Sequence, residues 1–150
     1  MSEVTVVEQN EKVLAGVAHG SVLLGIFTNG LGGIVAALVI WLMQREKSAY
    51  VAGQALQALV YQTATMVITM MAWCCWGVLW TVLLLPPIFA NPEAYENALP
   101  SGFWVGLGLM IVPLALWGLS ILYGLWAAAR TLGGHDFRYV IIGNWLESQK

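Results

Sequence analysis

Charge is what this chain has least of. Only 9% of its residues are Asp, Glu, Lys or Arg, where soluble domains carry roughly 25%. None falls between Val13 and Gln44, between Ser48 and Pro92, or between Asn97 and Ala129. The helices of a soluble fold need charge on their outward faces, and these runs offer none. A net charge of -2 leaves no basic patch, so no nucleic-acid partner is expected. Cysteine is nearly as scarce. Cys74 and Cys75 are adjacent inside an apolar run, a spacing that gives neither a zinc site nor a disulfide framework. A thiolate is disfavoured so far from water, and packing is their expected role. No metal-ligand spacing, Ser/His/Asp set or phosphate loop is present. The expectation is a chain that is not an enzyme, with no catalytic residue, cofactor or metal site. A positive leader is missing too: Glu3, Glu8 and Glu11 precede the first apolar run against Lys12 alone. That run is therefore expected to stay in the mature protein.

What the chain has instead is hydrocarbon, with 59% hydrophobic residues and eight tryptophans. The stretch from Thr63 to Leu85 is almost wholly apolar. A helix rises about 1.5 Å per residue, and about 20 apolar residues cross a bilayer core. A transmembrane barrel is not expected, because its strands alternate in units of about 10 residues and these runs are far longer. The fold class expected is all-α: a polytopic transmembrane helical bundle in a single domain, residues 1–150, with the lipid bilayer as its surroundings.

Residues 1–12 read as a polar tail. Residues 13–43 form a broken hydrophobic pair, because Thr28-Asn29-Gly30 and Gly32-Gly33 interrupt the run with turn formers. Two short helices folded as a hairpin give four hydrophobic segments in all. One long kinked helix, giving three spans, stays open as the alternative. Trp41, Arg45 and Lys47 then form an interfacial anchor, and the positive-inside rule places that loop in the cytoplasm. Residues 48–85 read as one long helix with a polar cytoplasmic start, stopped by Pro86-Pro87. A loop with Glu93 and Glu96 and no cation suits the outside. Residues 101–129 form a span kinked at Pro113, which frees the carbonyl of Leu109. Residues 130–150, with Arg130, Arg138 and Trp145 as further anchors, read as an interfacial C-terminal segment. Both termini are expected in the cytoplasm, and the membrane to be the bacterial inner membrane.

Several residues resemble a family. Glu11 to Ala15, Ala18-His19-Gly20-Ser21, Gly30 to Gly33, Trp41, and above all Ser48, Tyr50-Val51, Ala58-Leu59 and Tyr61-Gln62 are similar to small bacterial membrane proteins grouped as domain of unknown function 4870. These are relatives of the Tic-twenty-like import components. The pattern's Pro, His and Lys are Ala49, Gln54 and Leu56 here. The resemblance implies a four-segment bundle and suggests protein translocation, without an established reaction.

Four sets of residues stand out. Tyr50, Gln54, Gln57 and Tyr61, continued by Thr65, make a polar stripe on one helix face. It either lines a polar path or supplies hydrogen bonds between helices. Gly16 with Gly20, and Gly102 with Gly106, have the small-xxx-small spacing that brings helices close. Trp73, Trp76 and Trp80 share a face suited to a protein partner. His19, alone among histidines in a span, has no intramembrane Asp or Glu to relay a proton and is expected to bond structurally. Function is read as a non-enzymatic accessory or structural subunit packing against other membrane protein subunits. The alternatives are a Tic-twenty-like conduit and a small-molecule or ion transporter.

Overall fold

The computed structural model describes residues 7–96 and 98–140. Every regular element among the described residues is helical. They fall into two compact units, Met1–Met66 with Ser120–Lys150, and Val67–Leu119.

In the first unit, α1 (Gln9–Gly20) opens with a capping box: the Glu8 and Glu11 side chains and backbone amides satisfy one another. Ser21 separates it from α2 (Val22–Phe27). The chain then turns at Asn29, φ 51°, and Gly30, φ 92°. Both dihedrals are left-handed, a conformation that Asn and Gly tolerate best. Thr28 fixes the turn. Its hydroxyl donates to the Leu24 carbonyl at 2.7 Å and accepts from the Gly32 amide at 2.7 Å, which satisfies an early N–H of α3 (Leu31–Gln44).

The hairpin closes on small residues. A Cβ on Gly25 would stand 3.2 Å from the Gly30 Cα, and one on Gly33 would strike the Gln62 Oε1. Ala18, Ala37, Ala55 and Ala58 are fully buried and form one cluster joining α1, α3 and α4 (Ala49–Ala90). Alanine makes close helix contact cheap, because it has no side-chain entropy to lose and little bulk to clear. The last turns of α6 (Ile111–Leu132) complete the unit: Gly124 faces Val22, and Gly16 faces Leu132.

The second unit takes the remainder of α4, a short 3-10 turn at Pro92–Tyr95, α5 (Ser101–Leu109) and the start of α6. Pro86-Pro87 was expected to end the span at Leu85, yet α4 continues to Ala90. A proline at i withholds a donor from the carbonyl at i−4, so Pro87 leaves the Leu83 carbonyl free. That oxygen lies against Gly102, where an added Cβ would strike it. The absence of a side chain on Gly102 leaves room for this close approach. The α5–α6 break falls at Met110, three residues before Pro113.

Ala49–Ala90, with 42 residues, and Ser101–Leu132, with 32, are long and apolar enough to cross a membrane. Leu31–Gln44 is apolar but shorter. Of the four expected segments, length alone therefore supports two.

Candidate functional site

The polar stripe of α4 lies under the C-terminal segment. After α6 the chain passes Gly133 and Gly134, the latter with φ 79°, and runs on without helical structure through residues 135–139. In that segment Phe137 is 6% and Tyr139 2% exposed, while Arg138 between them is exposed. Alternate side chains thus enter the unit, as in an extended strand.

Two glutamines hold this segment. Gln54 Nε2 donates to Asp136 Oδ1 at 2.7 Å and to the Phe137 carbonyl at 3.1 Å. Gln57 Oε1 accepts the Tyr139 amide at 3.3 Å. The other oxygen of Asp136 takes the Arg138 Nε at 3.2 Å. His19, fully buried, stands between the two halves of the network: Nε2 lies 2.9 Å from Gln54 Oε1, and Nδ1 lies 3.1 Å from the Tyr139 hydroxyl. Burial pushes the Tyr139 hydroxyl well above its ordinary value, with Tyr61 and Tyr123 adding to the shift. It therefore stays protonated and can donate to His19.

Aromatic rings close the remaining space. Tyr139 stacks on Tyr61 at 4.1 Å and 7°. Phe137 meets Trp126 edge-on at 5.4 Å and Tyr123 at 5.9 Å. Such pairs contribute about 0.5–1.5 kcal/mol beyond area burial. Tyr61 also donates to the Ser120 carbonyl at 2.8 Å.

The rest of the stripe behaves differently. Thr65 bonds back to the Tyr61 carbonyl of its own helix at 2.9 Å. The Tyr50 hydroxyl oxygen is buried without a hydrogen-bond partner. Gly20 faces Ala128, at 3.8 Å from an added Cβ. In the second unit, Trp73, Trp76 and Trp80 form a ring series with centroids 5.4 and 4.9 Å apart. Trp76 Nε1 donates to the Gly106 carbonyl at 2.8 Å, and Trp80 covers the Gly106 Cα. The tryptophan face and the Gly102/Gly106 face, read separately in the sequence, meet one another inside that unit. Cys74 and Cys75 are exposed on a shallow apolar groove with Val78, Leu79 and Val82. Arg45 sits 5.9 Å from the Trp41 ring and 3.6 Å from Glu46, Lys47 and Arg130 are exposed, and Trp145 lies outside the described residues.

Sequence reasoning missed Ser21, Gln62, Asp136, Phe137 and Tyr139 as partners. Gln62 donates to the Ala18 carbonyl at 3.2 Å and to Ser21 Oγ at 3.1 Å, and Ser21 donates to the Gly33 carbonyl at 3.0 Å. The available signal was the alternation Phe137-Arg138-Tyr139. Among the described residues no three His, Cys, Asp or Glu side chains group as metal ligands do.

Residues 10–146 match the MamF/MmsF family, described as a magnetosome magnetite crystal formation protein family. This overturns the resemblance to domain of unknown function 4870 and the Tic-twenty-like components. The residues that carried that resemblance are mostly Ala, Gly, Leu and aromatics. Membrane helices share them for packing reasons, whatever their family. No curated protein and no solved structure matches the chain. With a match over nearly its whole length, the chain belongs to the magnetosome magnetite crystal formation protein family.

Proposed function

We propose that this protein is a non-enzymatic, multi-pass membrane protein that acts as an accessory or structural subunit in magnetite crystal formation at the magnetosome. The family match over residues 10–146 carries this reading. The two long apolar helices support the membrane part of it. In this reading α4 and the α5–α6 segment cross the bilayer, with the α1–α3 hairpin embedded beside them. The lipid bilayer and other membrane protein subunits are its partners. Arg45 and Lys47 precede α4 and Arg130 lies in the last turn of α6, whereas Glu93 and Glu96 lie in the connection between those helices. By the positive-inside rule this supports cytoplasmic termini in a membrane of inner-membrane type. The conduit alternative rested on the Tic-twenty-like resemblance and falls with it. The transporter alternative has no observation in its favour, because Gln54 and Tyr61 of the stripe are buried against the chain's own segments.

The test is deletion of the gene in a magnetite-forming bacterium, with crystal number and size measured by electron microscopy. Smaller, fewer or misshapen crystals are expected, restored by the full chain. Crystals identical to the parent's would overturn the proposal. Native mass of the detergent-extracted protein then distinguishes a subunit of a larger assembly from a lone bundle. A reporter after Lys150 that is active outside the cytoplasm would overturn the topology.

A further inference from the structure

Residues 135–139 form a strap over the polar stripe of α4. The strap is joined to α6 through Gly133-Gly134, with Gly134 at φ 79° and single backbone bonds from Gly133 to Ala129, Gly134 to Thr131 and His135 to Arg130. Beyond that joint it is held by side chains. Gln54 and Gln57 take its backbone, and His19, Tyr61, Tyr123 and Trp126 take the rings of Phe137 and Tyr139. The helices beneath have a hold of their own, because Ala18, Ala37, Ala55 and Ala58 join α1, α3 and α4 without the strap. A segment held this way opens locally at less cost than the whole unit unfolds.

One member of this contact set is a residue that gains a proton near neutral pH. His19 is fully buried. The Gln54 amide nitrogen is committed to Asp136 and the Phe137 carbonyl, so its oxygen faces His19 Nε2, which carries the ring proton. Nδ1 is left to accept from the Tyr139 hydroxyl. A second proton must go to Nδ1. It turns the acceptor into a donor and takes from the Tyr139 hydroxyl the acceptor of its own hydrogen.

The added charge meets no carboxylate. Tyr139 touches the ring, with Tyr61 and Tyr123 behind it. Asp136 stands one amide away, beyond Gln54, and is paired with Arg138. On α1, Glu11 is bonded to Ser48 and Lys12 lies over Gly134. The start of α4 adds Tyr50, α6 adds the exposed Arg130, and His135 on the strap is exposed, while α2 and α3 carry no titratable residue. A buried charge without a partner is costly, so the charged ring favours the state in which the strap is off and water reaches it.

We propose that the strap is an acid-released latch: His19 holds it closed while its ring is neutral, and protonation of His19 lets it swing away about Gly133-Gly134 and uncover Gln54, Gln57 and Tyr61. An imidazole open to water titrates at about 6.5. The open form takes up the proton and the closed form does not. The open share therefore rises as pH falls, by up to about tenfold for each unit below about 6.5.

Hydrogen exchange on the full chain in lipid nanodiscs tests this. The Tyr139 amide is bonded to Gln57 Oε1, so its protection, relative to the free-peptide rate at the same pH, reports how often the strap is off. Between about pH 7.5 and about pH 5 that protection should fall by up to about 30-fold, while amides around Ala55 and Ala58 keep theirs. His19→Gln preserves both bonds, since a side-chain amide donates to Gln54 and accepts from Tyr139, but has no proton to gain. Its protection should stay level. Asp136→Asn removes the strap's carboxylate and should leave the fall in place, which keeps the latch testable where His19→Gln does not fold. Level protection in the parent would overturn the proposal. So would an equal fall in His19→Gln, which would point to His135, or a fall that disappears in Asp136→Asn. A parallel loss at Ala55 and Ala58 would overturn it too, because the acid response would then be a loosening of the whole unit.

Discussion

The amide oxygen of Gln54 stands 2.9 Å from Nε2 of His19, and the surroundings of Gln54 fix which way that amide points. Its nitrogen faces two acceptors, the Asp136 carboxylate and the Phe137 carbonyl. The oxygen must therefore face His19, and Nε2 must carry the proton. With a neutral ring, Nδ1 is then an acceptor and takes the Tyr139 hydroxyl. One buried histidine thereby ties α1, α4 and the C-terminal segment into a single hydrogen-bonded chain.

His19→Ala strands Gln54 Oε1 and the Tyr139 hydroxyl in a dry interior. Unpaired buried groups and the cavity together should cost about 2–4 kcal/mol. Gln54→Ala should cost a similar amount, because it strands the His19 Nε2–H and the buried Phe137 carbonyl. The double variant should be less damaging than the sum, with a coupling of about 0.5–3 kcal/mol. Denaturant or thermal unfolding in detergent checks this. Strict additivity would show that the network does not act as a unit.

In the second unit, glycines at similar spacing along α5 should differ sharply. A Cβ on Gly102 strikes the backbone carbonyl of Leu83, which cannot rotate away, while Gly108 has nothing within 4 Å. Gly102→Ala is expected to destabilise by about 1–3 kcal/mol through overpacking. Gly108→Ala should be neutral or slightly stabilising. Equal melting temperatures for the two variants would contradict the packing of α5 on the end of α4.

The Trp76 indole offers a milder test of the same contact. Trp76→Phe keeps an aromatic ring, deletes the hydrogen bond to the Gly106 carbonyl and trims the bicyclic indole to a single ring. The expected loss is about 1 kcal/mol, together with a change in tryptophan fluorescence. A larger loss would mean that the indole's bulk, rather than its N–H, holds the aromatic series together.

These contacts also mark how far the sequence could be read. The helices were legible because charge vanishes over whole runs and reappears at their ends, and Thr28 to Gly30 announces its turn by composition. The stripe Tyr50, Gln54, Gln57 and Tyr61 was visible from spacing alone. Its partner was not, because Phe137 and Tyr139 lie more than 75 positions away in a segment of ordinary polarity. Hydrophobic pattern reports which face of a helix is buried, and is silent on what covers it. The same silence hid the meeting of Trp76 with Gly106. It also hid the passage of α4 through Pro86-Pro87, where Gly102 stands beside the carbonyl that Pro87 frees.

The last prediction concerns the start of the chain, outside the apolar segments. The Ser48 hydroxyl donates to Glu11 Oε1, and the Glu8 amide donates to Oε2 at 3.1 Å. Ser48 also accepts the Val51 amide at 3.2 Å, so this one side chain links the beginnings of α1 and α4. Both donors favour the carboxylate, with Ser48 the larger influence, and hold Glu11 below its ordinary value of 4.5. A carboxyl whose pKa is lower in the folded than in the unfolded chain contributes stability above the unfolded value. It loses that contribution as pH falls through the folded one. The melting temperature of the parent should therefore drop more steeply than that of Glu11→Gln between about pH 5 and pH 3. Ser48→Ala should remove most of the difference. Because Glu11 stays partly open to solvent, the effect should be small and should shrink further in high salt. Parallel pH profiles for the parent and Glu11→Gln at low salt would show that the Ser48–Glu11 bond does not hold the two helix starts together.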